Sequence, residues 1–145
     1  MDRPNGYNIL LVDDDIEQAL FIKQILETSF SNEIVVFWYE NGEAALDFLD
    51  VKTSPTISLI LLEIESTTFD GVSVLKRLKS VSSRHRIIPI IIFSRSQDQP
   101  RIKRCFSLGV NSWVKKPSDP RVFRDTLGII LEFWLTHAIL PSSLT

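Results

Sequence analysis

Cysteine is nearly missing from this chain: its 145 residues include one, Cys105, beside one methionine, two histidines and five glycines. A lone cysteine cannot close an internal disulfide and excludes a cysteine-based zinc site, so a reducing compartment fits. Neither sign of charge dominates. Sixteen Lys and Arg face eighteen Asp and Glu, a net charge of −2 with a pI near 5.7, which argues against a dedicated nucleic-acid binder. No apolar run approaches the roughly 20 residues needed to span a bilayer, and residues 1–6 carry no signal-peptide core. The remaining composition, 44% hydrophobic and 23% charged, is that of a globular protein with a real core. One cytoplasmic domain is expected over residues 1–145, its core at about 8–138.

Five apolar runs alternate with amphipathic segments. Ile9-Leu10-Leu11-Val12 is short, continuous and bounded by charge, as expected for a strand buried on both faces. From Asp15 to about Ser29 the pattern is helical, with Ala19, Ile22 and Leu26 on one face and Asp15 and Gln18 spaced as in a capping box. Residues 34–39 form the second strand, and Asn41-Gly42 leads into a helix carrying Ala45, Leu46 and Leu49. Residues 57–64 are the third strand, followed at Asp70-Gly71 by a helix with Val72, Leu75 and Leu78. Residues 87–93 are expected as the fourth strand, with Pro89 near its start, where a missing N–H costs least. Gln99-Pro100 begins a helix that Gly109 stops. Trp113-Val114-Lys115 is a brief fifth strand, and Ser118-Asp119-Pro120 caps a last helix reaching about His137. This (βα)5 order implies an α/β fold, a doubly wound parallel sheet with right-handed crossovers. Pro4-Asn5-Gly6 and the tail after Pro141 are expected to fray.

In an open parallel sheet, functional groups gather at the carboxyl ends of the strands. Those ends here are Asp13-Asp14-Asp15, Glu63 with Glu65, Ser94-Arg95-Ser96 and Lys115-Lys116-Pro117. Carboxylates brought this close repel, so their convergence calls for a bound hard cation such as Mg²⁺ or a lysine counter-charge.

The same pieces, with Phe69-Asp70-Gly71 between them, resemble the receiver domain of two-component response regulators from about Asn8 to Leu135. Glu132-Phe133-Trp134-Leu135-Thr136 and Leu140-Pro141 look like the single-domain regulators paired with cyanobacterial phytochromes. The resemblance implies a flavodoxin-like sheet in the order 2-1-3-4-5. It gives Asp13 and Asp14 a share in holding Mg²⁺, with the Glu63 carboxylate and the Glu65 backbone carbonyl. Glu63 stands at the phospho-acceptor position, Ser94 and Lys116 at the positions that bind the acyl phosphate, and Trp113 at the aromatic switch position. A histidine kinase, phytochrome-like, or another signalling protein would be the partner. No nucleic-acid or membrane partner is implied.

The pattern breaks where the chemistry is most demanding. The family has an aspartate nucleophile where this chain has Glu63. Phosphoryl transfer depends on in-line placement, and an added methylene shifts the carboxylate by about 1 Å or more, a displacement that can cost ~10²-fold. Weak or absent phosphorylation is expected, with Mg²⁺ weakly held or lost. Thr67 replaces a usual proline, Glu65 adds a carboxylate, and Arg95 stands where a small residue is usual. Arg95 either pairs with Glu63 or Glu65, crowds the pocket, or points to solvent. Glu63 either reaches Ser94 and Lys116 in imitation of the phosphorylated state, or marks a retired site on a docking module; the second is preferred.

The last helix carries more apolar residues than one stripe needs, including Val122, Phe123, Leu127, Phe133, Trp134 and Leu135. A homodimer through the last strand and helix is expected, unless the tail folds back on its own domain. His85 and His137 are read as surface residues and Cys105 as packing. Two rivals share the fold. A haloacid dehalogenase-type Mg²⁺-dependent phosphatase would use Asp13-x-Asp15, but Glu17 follows where Thr or Val is usual. A flavodoxin-like carrier would need a phosphate-binding first loop, which three aspartates repel.

Overall fold

The computed structural model describes residues 6–29 and 33–143. Pro4 and Asn5, read as frayed, lie outside them. Five strands, β1 (Gly6–Val12), β2 (Glu33–Tyr39), β3 (Leu59–Leu62), β4 (Ile90–Ser94) and β5 (Ser112–Lys115), alternate with five helices, α1 (Ile16–Thr28), α2 (Gly42–Asp50), α3 (Gly71–Leu78), α4 (Gln99–Ser107) and α5 (Pro120–Leu131). All strand pairs are parallel and the sheet order is 2-1-3-4-5, so the expected α/β doubly wound architecture is the one observed.

Strand alternation divides the interior into two layers. Ile9 and Leu11 of β1, Leu59 and Leu61 of β3, and Ile91 and Phe93 of β4 face α1 and α5. Leu10, Val12, Ile60, Leu62, Ile90 and Ile92 face α2, α3 and α4. Each of these side chains is at most 2% exposed, which makes burial worth about 1.5–3 kcal/mol apiece. The helices start on side-chain caps from Asp15, Asn41, Asp70, Asp98 and Asp119. Gly109, at φ +102°, takes the left-handed turn after α4.

The outer strand β2 has a free edge, a hazard for unwanted pairing. Glu27 on α1 accepts from the Val36 N–H at 2.8 Å, and Lys23 donates to the Val36 carbonyl at 3.3 Å. The i,i+4 pair thus satisfies the outward backbone groups of Val36, midway along the edge.

Several boundaries differ from expectation. β3 is confined to four residues because Ile57 and Ile64, though buried, lie outside the ladder. β4 begins after Pro89; residues 83–88 are taken up by turns, and Ile87 is 61% exposed. Gly6 is not frayed but pairs with Glu33, and Pro141–Ser143 forms a 3₁₀ turn. The last helix is α-helical only to Leu131 and continues as a π-helical turn, Glu132–His137. This wider turn brings Leu135 inward, where its carbonyl accepts from the Tyr7 hydroxyl at 2.9 Å, and Leu140 is buried beside it. The tail therefore folds back, and Leu135, expected at an interface, is a core residue. Phe133 remains 53% exposed. His85 is only partly at the surface: its side chain is 15% exposed and contacts the exposed Asp50 at 3.0 Å.

Candidate functional site

The parallel ladders run one residue beyond the strands. Asp13 N–H bonds the Tyr39 carbonyl, Glu63 N–H the Val12 carbonyl, and Lys116 N–H the Ser94 carbonyl, at 3.1, 2.9 and 2.8 Å. Backbone register thus sets Asp13 and Glu63 at one level of the carboxyl edge, with Ser94 one residue and Lys116 two residues further along.

Lys116 is the centre of the cluster, 1% exposed. Its Nζ donates to Asp13 Oδ2 at 2.6 Å, to Gln18 Oε1 at 2.7 Å and to Glu63 Oε1 at 2.9 Å. An ammonium has three protons, so its donors are matched one to one. The Phe93 ring lies beneath, its centroid 5.8 Å from Nζ, close enough for a cation–π contribution. The carboxylates are pinned at their other oxygens: Asp15 N–H donates to Asp13 Oδ1, and Glu65 N–H to Glu63 Oε2, each at 2.9 Å. Trp38 Nε1 holds the Asp13 carbonyl at 2.9 Å. Gly71 permits close approach of α3, since a Cβ there would sit 2.8 Å from the Glu63 carbonyl oxygen.

Sequence-predicted residues divide accordingly. Asp13, Glu63 and Lys116 are in direct contact. Ser94 is buried beside them, but its Oγ accepts from Ser96 N–H at 3.2 Å and bonds neither Glu63 nor Lys116. Asp14 turns away, its Oδ2 accepting from the Thr67 N–H at 3.2 Å and the Thr67 hydroxyl at 3.3 Å. Glu65 contributes its N–H while its side chain is exposed, and Arg95 is exposed and pairs with neither glutamate among the described residues. Trp113 is half-buried against the α2–α4 layer, with Nε1 on the Ser96 carbonyl at 3.1 Å; it covers the face opposite α5. Gln18 was missed. The capping-box spacing is half right, for Asp15 Oδ1 accepts from Gln18 N–H at 3.1 Å, but the Gln18 side chain is spent on Lys116.

Burial sets the electrostatics. Desolvation pushes the Asp13 carboxyl above its ordinary 3.8, against the pull of Lys116. For Asp14, desolvation is outweighed by hydrogen bonds from Ser66 and Thr67, and its carboxyl titrates below 3.8. The signs oppose. Asp14, depressed in the folded state, contributes stability that is present above 3.8 and lost as pH falls through its folded value; Asp13, raised, loses its contribution as pH rises through its folded value. A carbon-detected NMR titration is expected to show Asp13 protonating before Asp14 on acidification; the reverse order would refute these environments.

The Mg²⁺ implied by resemblance does not fit this arrangement. Both oxygens of Asp13 and of Glu63 are engaged, and Asp14 Oδ2 is turned to the threonines. Among the described residues, no group of three or more His, Cys, Asp and Glu is set to hold a metal ion, and no buried side-chain polar atom lacks a partner. The ammonium supplies the positive charge a cation would. Asp13, so pinned, is also no free nucleophile, which disfavours the phosphatase reading.

Comparison with known proteins identifies the family. The family model of the response regulator receiver domain matches residues 9–127. A probable methanogenesis regulatory protein, FilR2 of Methanothrix harundinacea, is 32% identical over 93% of this chain and 88% of its own. Response regulator Rcp1 of Synechocystis is 28% identical, with 93% of each chain covered. The phosphorylated cyanobacterial phytochrome response regulator RcpA superposes with a TM-score of 0.87 at 26% identity, over 94% of this chain and 99% of its own. The Mn²⁺-bound form of Rcp1 gives 0.84 at 26% identity, over 93% and 99%. With the sheet order, the strand-tip cluster and these likenesses together, the chain belongs to the response regulator receiver domain family of two-component signalling.

Proposed function

We propose that this chain is a receiver-type signalling protein whose acceptor site is out of use and whose output is protein–protein interaction. The observation that carries the reading is the triple coordination of Lys116 by Asp13, Gln18 and Glu63. A glutamate imitating a phosphorylated acceptor would engage the Ser94 hydroxyl, and Glu63 instead bonds Lys116 and the Glu65 N–H. That geometry supports the retired-site reading over the imitation. Mg²⁺ binding is weak or lost for the same reason, because a divalent ion would have to displace an ammonium already neutralised by two carboxylates.

Likeness to Rcp1 and RcpA supports a phytochrome-like histidine kinase, or another signalling protein, as the partner in the cytoplasm. A second copy is the proposed occupant of the outer α5 face, where Ile129 is 68% and Phe133 53% exposed and Trp134 stacks edge-on against Phe133. Sedimentation velocity is expected to show a dimer that Phe133→Asp converts to monomer; a monomeric parent protein would remove this element.

The acceptor reading is tested by incubating the protein with acetyl phosphate and Mg²⁺ and measuring its intact mass. The expected result is no phosphoryl adduct. Prompt, stoichiometric labelling at Glu63 would overturn the reading.

A further inference from the structure

Charge along this chain is segregated in a way its near-neutral total conceals. Residues 1–70 hold fourteen of the eighteen Asp and Glu and three of the sixteen Lys and Arg. Residues 71–104 hold nine Lys and Arg and a single acid, Asp98. In the fold this becomes a polarised layer. Helix α2 presents exposed Glu43, Asp47 and Asp50, and α3 and α4 lie beside it on the same side of the sheet. Where the halves meet, Arg77 pairs with Glu43 at 2.7 Å.

The basic side divides into cations already used and cations left over. Lys79 donates to the Arg86 and Ile88 carbonyls, Arg84 to Leu49, and Arg86 to Val81; these tie down the turn before β4. Lys76, Arg101 and Arg104 make no side-chain hydrogen bond or salt bridge among the described residues, although Arg101 lies near enough to Asp70 to help hold its carboxyl below the ordinary value. All three line one open cleft of about 830 Å³ between α3, α4 and the β3–α3 loop. Its floor is Ile64, Phe69 and Val72, and Thr67 and Thr68 add hydroxyls. Glu65, Asp70 and Asp98 also line it, but Asp70 and Asp98 accept from the first N–H groups of α3 and α4, where helix dipoles offset their charge.

We propose that the α3–α4 cleft docks a short acidic segment of a partner protein, its carboxylates meeting Lys76, Arg101 and Arg104. Arginine offers forked donors that match carboxylates in pairs. A short segment fits better than a long polyanion such as a nucleic acid, which would have to run over the acidic α2 beside the cleft and pay like-charge repulsion. The surface adjoins the strand-tip cluster, since Glu65 and Thr67 in its lining bond Glu63 and Asp14, but its three cations bond neither.

Fluorescence anisotropy with a labelled glutamate decamer tests this. Saturable binding is expected, weakening about tenfold or more as salt rises from about 0.02 to 0.2 M. The triple variant Lys76→Glu/Arg101→Glu/Arg104→Glu is expected to lose at least about tenfold in affinity, since each partner carboxylate would meet a like charge. A variant with the same charge change elsewhere, Lys52→Glu/Arg121→Glu/Arg124→Glu, is expected to keep most of the affinity; thermal melts establish that both variants fold. Absence of decamer binding, equal loss in the two variants, or tighter binding of an oligothymidylate would each overturn the proposal. So would salt-sensitive self-association abolished by the first variant alone, which would make the occupant a second copy.

Discussion

Lys116→Met is expected to lower unfolding free energy by about 3–5 kcal/mol, because it leaves Asp13 and Glu63 buried without their common counter-charge. For a chain of this size that is a fall in Tm on the order of 10 °C, read by thermal melts at neutral pH. The loss is expected to shrink on acidification, as uncompensated buried carboxylates take up protons and cease to repel. Gln18 supplies an internal comparison. Its carbonyl oxygen is the third acceptor, but Gln18→Ala removes no charge, so a loss of about 0.5–1.5 kcal/mol is expected. A Lys116→Met protein as stable as the parent would mean that the cluster is held by something other than the ammonium.

The second large effect is chemical. Glu63→Asp is expected to gain phosphoryl acceptance from acetyl phosphate in the presence of Mg²⁺, by about 10²-fold or more over the parent protein. Shortening the side chain withdraws the carboxylate from Lys116 and the Glu65 N–H, the bonds that keep Glu63 from sharing a divalent ion, and returns the acceptor to the reach that members of the family use. Ser94 and Lys116 already stand at their expected strand tips, held by register rather than by Glu63. Intact mass and peptide mapping would show the adduct at the new aspartate. An unlabelled Glu63→Asp protein would mean that the changes at Glu65, Thr67 and Arg95 have disabled the pocket independently.

Much of this was legible in the residue order. Buried parallel strands declare themselves as unbroken apolar runs, and the strand tips carry too many charges to be accidental. That was enough for the topology, for the juxtaposition of Asp13, Glu63 and Lys116, and for the caps of α1 and α5. What the sequence could not settle was the direction of individual side chains. Asp14 and Asp13 are neighbours in identical chemistry, yet successive side chains diverge where a strand ends, so one enters the cluster and the other bonds Thr67. Gln18 looked like a capping residue because its backbone plays that part; only the approach of β5 from 98 residues away gives its side chain another partner. The π-helical turn was equally hidden. No residue type marks it, although it is the turn that seats Leu135 in the core with its carbonyl on Tyr7. Ile87 was drawn into a strand by its neighbours' hydrophobicity, whereas the turns before Pro89 keep it in solvent.

The central claim is that Glu63 is committed to Lys116 and not to Ser94. A double-mutant cycle on unfolding free energy tests it directly, combining Lys116→Met with Glu63→Gln and, in parallel, Ser94→Ala with Glu63→Gln. The expected coupling is about 1–3 kcal/mol for the lysine pair and within about 0.5 kcal/mol of zero for the serine pair. A coupled serine and an uncoupled lysine would contradict the account and make Glu63 a stand-in for the phosphorylated acceptor.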